Sequence, residues 1–171
     1  MKALIPHLYA FVLPLFIGNM LHMLVVKKDM FRTLAKPISI DLFGSGKTYR
    51  GFILLPLMCA CCSLITSLFT HSAPLLSFST GFLLGFFYML GELPNSWLKR
   101  RMGIPPGGSN ANYKWLQLAA DKLDSLIVLA IAYYFLVEIS FMLLVKLILL
   151  SFIIHIIFSW ILFRLRIKKS F

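Results

Sequence analysis

The sequence predicts an all-α, polytopic membrane protein with about five transmembrane helices, its N-terminus outside and its C-terminus in the cytoplasm. Three observations carry this expectation. Hydrophobic residues make up 60% of the chain, charged residues 13%, and the mean hydropathy is +0.87, a balance that places the chain in a bilayer. The apolar residues gather into runs near the length that crosses the hydrocarbon core. The basic residues sit in clusters between those runs, on alternate connections.

The first run covers about residues 3 to 26; it contains Pro6 and Pro14, follows a single Lys2 and shows no small-residue cleavage site, so it reads as a retained helix. The next runs fall at about 52 to 70, 75 to 93, 123 to 137 and 140 to 163. Lys27, Lys28, Arg32, Lys36, Lys47 and Arg50 fill the connection between the first two; Lys99, Arg100, Arg101, Lys114 and Lys122 fill that between the third and fourth. Arg164, Arg166, Lys168 and Lys169 end the chain, whereas the connections around His71 to Ser77 and around Glu138 hold no Lys or Arg. The positive-inside rule then puts the loops of about 27–51 and 94–122 in the cytoplasm, within one integral-membrane domain spanning 1–171. Pro94 is expected to break or kink the third helix, and Pro37, Pro105 and Pro106 to mark further ends.

A formal net charge of +11 usually raises nucleic acid as a partner, but basic clusters beside apolar runs speak for orientation and for anionic phosphate instead. Cys59, Cys61 and Cys62 share one apolar stretch, which suits packing and not a disulfide or zinc framework.

Two polar islands interrupt the hydrocarbon. In the first, Gly44-Ser45-Gly46-Lys47-Thr48, the Walker pattern fails because Asp41 stands where its first glycine belongs. The physical content survives: Gly44 and Gly46 let backbone N–H groups approach phosphate, Lys47 and Arg50 supply charge, and the glycine spacing with Thr48 exceeds what a topology signal needs. In the second, Asn95 and Ser96 lead into Lys99, Arg100 and Arg101. Beyond a Pro105-Pro106-Gly107-Gly108 turn, Asp121 and Asp124 stand three residues apart at the mouth of the fourth helix, on one face. Helix capping explains one of them; a pair of carboxylates at a membrane boundary suits Mg²⁺, which takes its other ligands from water and phosphate. Glu92 reads equally as an assisting base or an interfacial residue. Asn19 and His22, three residues apart on the first helix, read as an interhelical hydrogen bond or as part of the same pocket. His155 and Lys146 read as structural.

Phe43-Gly44, Lys47-Thr48, Arg50-Gly51, Pro94-Asn95-Ser96, Lys99-Arg100-Arg101, Gly103-Ile104-Pro105-Pro106-Gly107-Gly108, Asp121 and Asp124, in that order, resemble the CDP-archaeol synthases, small membrane cytidylyltransferases related to the CDP-diacylglycerol synthases. The resemblance covers nearly the whole chain. It implies a Mg²⁺-dependent reaction of CTP with a membrane lipid phosphate, giving a CDP-lipid and pyrophosphate at the cytoplasmic face of the cell membrane. It further implies that Asp121 and Asp124 hold the metal and form the catalytic set with Lys99. Lys47, Thr48, Arg50, Lys99 and Arg100 would then bind phosphates, with Asn95, Ser96 and Arg101 in the motif around the basic triplet. The His-Gly-Gly of the wider cytidylyltransferase signature is replaced here by Pro106-Gly107-Gly108, a dozen residues before Asp121. The competing expectation is a non-enzymatic transporter or flippase that gathers anionic lipid phosphates and needs a polar path through the bundle.

Overall fold

The computed structural model describes residues 4–70, 73–106, 108 and 114–165. Gly107 and the C-terminal Arg166, Lys168 and Lys169, on which part of the sequence reading rests, lie outside the described residues. Five long helices form a bundle: α1 (Leu4–Lys27), then, after the short α2 (Ile40–Phe43), α3 (Tyr49–Thr70), α4 (Pro74–Arg101), α5 (Lys114–Leu136) and α6 (Phe141–Arg164). Among the described residues, α1, α3, α4 and α6 contain stretches long and apolar enough to cross a membrane. In α5, Asp121, Lys122 and Asp124 occupy the first half, and the uninterrupted apolar stretch begins only after Ser125.

Each helix answers to its sequence. A wide π turn over Leu8–Val12 precedes Pro14 in α1; proline clashes with the carbonyl four residues back, and the wider turn absorbs that clash. α3 and α4 make the most extensive contact in the bundle, with α5 packed on the other side of α4. Gly91 sets the second approach: a Cβ there would stand 2.7 Å from Ser125 Cα, so only glycine lets α4 and α5 come this close. The core joins Phe11 and Leu15 from α1, Leu55 and Cys59 from α3, Leu84 and Tyr88 from α4, Leu126, Leu129 and Tyr133 from α5, and Leu147 from α6. Cys59 and Cys62 are buried and all three cysteines are free, consistent with a packing role.

Two expectations are corrected. The fourth helix does not begin at the apolar run near 123: Leu116, Gln117, Leu118, Ala119 and Ala120 are good helix formers, α5 starts at Lys114, and Asp121 and Asp124 lie inside it and not at its mouth. Pro94 does not end the third transmembrane helix; α4 continues through it to Arg101, so the second polar island is helical and not a loop. Pro94 lacks the N–H that would bond the carbonyl four residues back, but neighbouring helices and side-chain hydroxyls compensate in such helices. The carbonyl four residues before Pro94 is that of Leu90; the Ser96 hydroxyl bonds a different one, donating to the Glu92 carbonyl at 2.8 Å, and Lys99, Arg100 and Arg101 favour the C-terminal end of the helix dipole.

Candidate active site at the charged end of the bundle

Continuation of α4 through Pro94 has a direct geometric result. Tyr88, Glu92, Asn95 and Lys99 follow one another at steps of four, three and four residues, the spacing of a single helical face. This polar stripe faces α5 at its lower half and the first basic loop beside it.

Against α5, the Asn95 carboxamide donates from Nδ2 to Asp121 Oδ1 at 2.6 Å and to Asp124 Oδ2 at 2.9 Å. Both carboxylates therefore converge within reach of one donor. Lys99 forms an ion pair with Asp121. The Gly91–Ser125 contact lies one helical turn away and fixes the separation of the two helices at this point.

Against the basic loop, Lys47 forms a hydrogen-bonded ion pair with Glu92. Both side chains are largely withdrawn from solvent, 19% and 25% exposed. The loop is closed, not loose: Ile38 N–H donates to the Lys47 carbonyl at 2.9 Å and Tyr49 N–H to the Lys36 carbonyl at 3.1 Å, making an antiparallel bridge between Pro37 and Thr48. Inside that closure Ser39 caps α2 by accepting from Leu42 N–H at 3.3 Å, and Gly44 turns the chain at φ +82°, a conformation that side chains disfavour.

The two islands touch at Gly44. A Cβ there would lie 3.0 Å from Pro106 and 3.6 Å from the Arg100 guanidinium carbon. Arg100 itself has Nε and Nη1 buried with no hydrogen-bond partner among the described residues. The residue as a whole is half-buried; its two buried N–H groups without a partner favour an anion that would complete them, and the planar fork of arginine fits phosphate.

Other predicted residues take different places. Arg50 is 7% exposed and donates to the Met30 carbonyl at 2.9 Å and to Asp29 Oδ1 at 3.4 Å, so it clamps the turn after α1, where Asp29 and Phe31 have positive φ. Gly46 is exposed with open space around it. Arg101 lies 5.1 Å over the Trp97 ring, away from the carboxylates. Ser96 is engaged by its own helix, and Thr48 contributes backbone contacts to the closure of the loop.

Deeper in the bundle, Asn19 donates to the Tyr88 hydroxyl at 3.4 Å, the interhelical bond its position suggested. His22 sits with Nε2 buried and without a hydrogen-bond partner among the described residues. Glu92 lies within electrostatic reach of both His22 and His155, and Lys47 and Glu92 lie within reach of Asp124. Tyr88 and Asp29 were not singled out by sequence. For Tyr88 the signal was present, four residues before Glu92 on the same helical face; for Asp29 it was hidden inside a basic run.

Among the described residues, no group of three or more His, Cys, Asp or Glu side chains is arranged to hold a metal. The Asp121–Asp124 pair is a hard oxygen donor set that fits a hard divalent cation taking its remaining ligands from water or phosphate.

The opposite end of the bundle holds a cavity of about 280 Å³ lined by His7, Ser63, Thr66, Ser67, Thr80 and Tyr133 together with apolar residues. His7 Nδ1 and the Tyr133 hydroxyl are 2.8 Å apart there. This end is rich in hydroxyls, and among the described residues its lining carries no acidic or basic residue apart from His7.

A family model described as CDP-archaeol synthase, CarS-like, matches residues 1–171. The CDP-archaeol synthase of Pyrobaculum islandicum is 30% identical over 134 residues, which cover 75% of this chain and 73% of that protein. Those of Saccharolobus islandicus and Saccharolobus solfataricus are 37% identical over 84 residues, 48% of this chain and 44% of theirs. No solved structure matches.

Proposed function

This chain belongs to the CDP-archaeol synthase family, and from that premise we propose that it transfers the cytidylyl group of CTP to a lipid phosphate at the charged end of the bundle, with Mg²⁺ at Asp121 and Asp124. A phosphate oxygen of the lipid forms a bond to the α-phosphorus of CTP, the bond from that phosphorus to the bridging oxygen breaks, and pyrophosphate leaves. The products are a CDP-activated lipid and pyrophosphate. The acceptor is an isoprenoid ether-lipid phosphate or a diacyl one, and the loops that carry the site face the cytoplasm, where CTP is found.

In this reading Asn95 aligns the two carboxylates, and Arg100, Lys99 and Lys47 bind the charged oxygens of the triphosphate. Gly44 permits the loop backbone to lie against Arg100. Bound Mg²⁺ would supply neutralisation of phosphate charge, and the chain's own part is alignment and electrostatic stabilisation of an in-line displacement. The observation that carries the reading is that one end of α4 holds both a carboxylate pair gathered by Asn95 and Arg100, whose buried Nε and Nη1 lack a protein partner among the described residues.

The test is direct. The purified protein in detergent is incubated with Mg²⁺, CTP labelled at the α-phosphate and, in parallel, an isoprenoid ether and a diacyl lipid phosphate. Label in the organic phase is the expected result and identifies the acceptor; absence of label with both, together with absence of CTP binding, overturns the reading.

A further inference from the structure

The mechanism above uses Lys47 but gives no role to the carboxylate that holds it. Glu92 is on α4, one turn before Asn95, and its partner Lys47 is the last residue before the bridge that closes the basic loop. Around Glu92 the bundle presents Lys47 from the loop, His22 from α1, Tyr88 from its own helix and His155 from α6. Lys47 is the ion-pair partner, and the Tyr88 hydroxyl is a second hydrogen-bonding neighbour. The ion pair is thus a side-chain tie from the loop to the helix that carries Asn95 and Lys99. A pair so withdrawn from water is held more strongly than a surface pair, and breaking it from one side leaves a poorly solvated charge.

We infer that Glu92 is a positioning residue: through its ion pair it holds Lys47, and with it the folded 36–49 loop, against α4 so that the phosphate-binding groups are in place before nucleotide arrives. The inference rests on the reading of the charged end as a nucleotide site. Fixing a binding group in advance strengthens ligand binding by removing the ordering it would otherwise require. Glu92 therefore acts on CTP binding through Lys47 and not on the displacement itself.

The experiment compares the full-length protein with Glu92→Gln, Glu92→Asp, Lys47→Ala and the double variant Lys47→Ala with Glu92→Gln. Three quantities are read: Mg²⁺·CTP affinity, the separate kcat and KM for CTP, and the rate of chymotryptic cleavage in the 36–49 loop without nucleotide, at Leu42, Phe43 or Tyr49. Glu92→Gln is expected to raise Kd and KM for CTP roughly tenfold, the effect of losing about one charge-assisted contact, to leave kcat within about threefold, and to speed loop cleavage. Glu92→Asp is expected to recover part of both effects. In the Lys47→Ala background, Glu92→Gln is expected to add nothing, because its route of action is gone. Equal effects of Glu92→Gln with and without Lys47, or a loop cleaved at the wild-type rate in Glu92→Gln, overturn the inference. Cleavage needs no nucleotide, so a wild-type protein that binds no CTP while Glu92→Gln still loosens the loop would contradict the functional reading alone.

Discussion

The two ends of this bundle share α4 and α5 and differ in what those helices present. At one end α4 and α5 bring Glu92, Asn95, Lys99, Asp121 and Asp124 together. At the other, the same two helices present Ser77, Thr80, Tyr133 and Val137 around a cavity. Between them Phe11, Leu15, Leu84, Leu126 and Leu129 fill much of the interior. Hydroxyls satisfy themselves locally, as Thr66 and Ser67 do by donating to the carbonyls of Ser63 and Leu64 at 3.0 and 2.7 Å. Carboxylates and guanidinium groups cannot do so in an apolar surrounding and must be paired across elements. Charge, not polarity alone, therefore distinguishes the two ends.

The sharpest way to break this comparison is to neutralise the carboxylate pair. Asp121→Asn or Asp124→Asn is expected to lower label transfer to lipid by on the order of a thousandfold or more, given the usual size of a removed electrostatic element, while the melting temperature stays near that of wild type. Transfer at the wild-type rate would remove the pair from the site.

Arg100→Ala comes next: loss of a charge-assisted phosphate contact is expected to reduce kcat/KM by roughly ten- to a hundredfold. Arg100→Lys is expected to recover little, because a point charge does not replace a planar fork. A steady-state comparison across CTP concentrations checks both.

How much of this end was legible beforehand depends on the range of the signal. The apolar runs, the basic clusters and the Asp121–Asp124 spacing are local, and a helix formed over each run, although α5 begins at Lys114 and so holds Asp121 and Asp124 inside it and not at its mouth. Pro94 is a local signal too: of the break or kink expected there the break does not occur, because α4, packed against its neighbours, continues to Arg101. With the helix interrupted at Pro94, Tyr88 and Glu92 belonged to one element and Asn95 and Lys99 to a loop; continued, they make one stripe. The pairings of Lys47 with Glu92 and of Arg50 with Asp29 depend on how the loop closes on the bundle, which no periodicity reveals. Arg50 illustrates the point: its charge was read as phosphate-seeking, and within the fold it donates to the turn after α1 while its Nε is buried without a partner among the described residues.

Two smaller effects sharpen the comparison. Gly91→Ala places a Cβ 2.7 Å from Ser125 Cα and forces α4 and α5 apart, at about 1–3 kcal/mol; thermal unfolding should fall and activity with it, since Asn95 moves away from the aspartates. At the opposite end, Tyr133→Phe removes the hydroxyl that meets His7 and is expected to lower stability by about 1 kcal/mol, read as a small drop in melting temperature.

The central claim, that nucleotide binds at the charged end alone, is tested most directly by titrating Mg²⁺·CTP into wild type, Arg100→Ala and Tyr133→Phe and comparing the isotherms. The account predicts saturable binding that Arg100→Ala weakens at least tenfold, the scale of one charge-assisted contact, and that Tyr133→Phe leaves unchanged. Binding that survives in Arg100→Ala and fails in Tyr133→Phe would contradict it and move the site to the other end of the bundle.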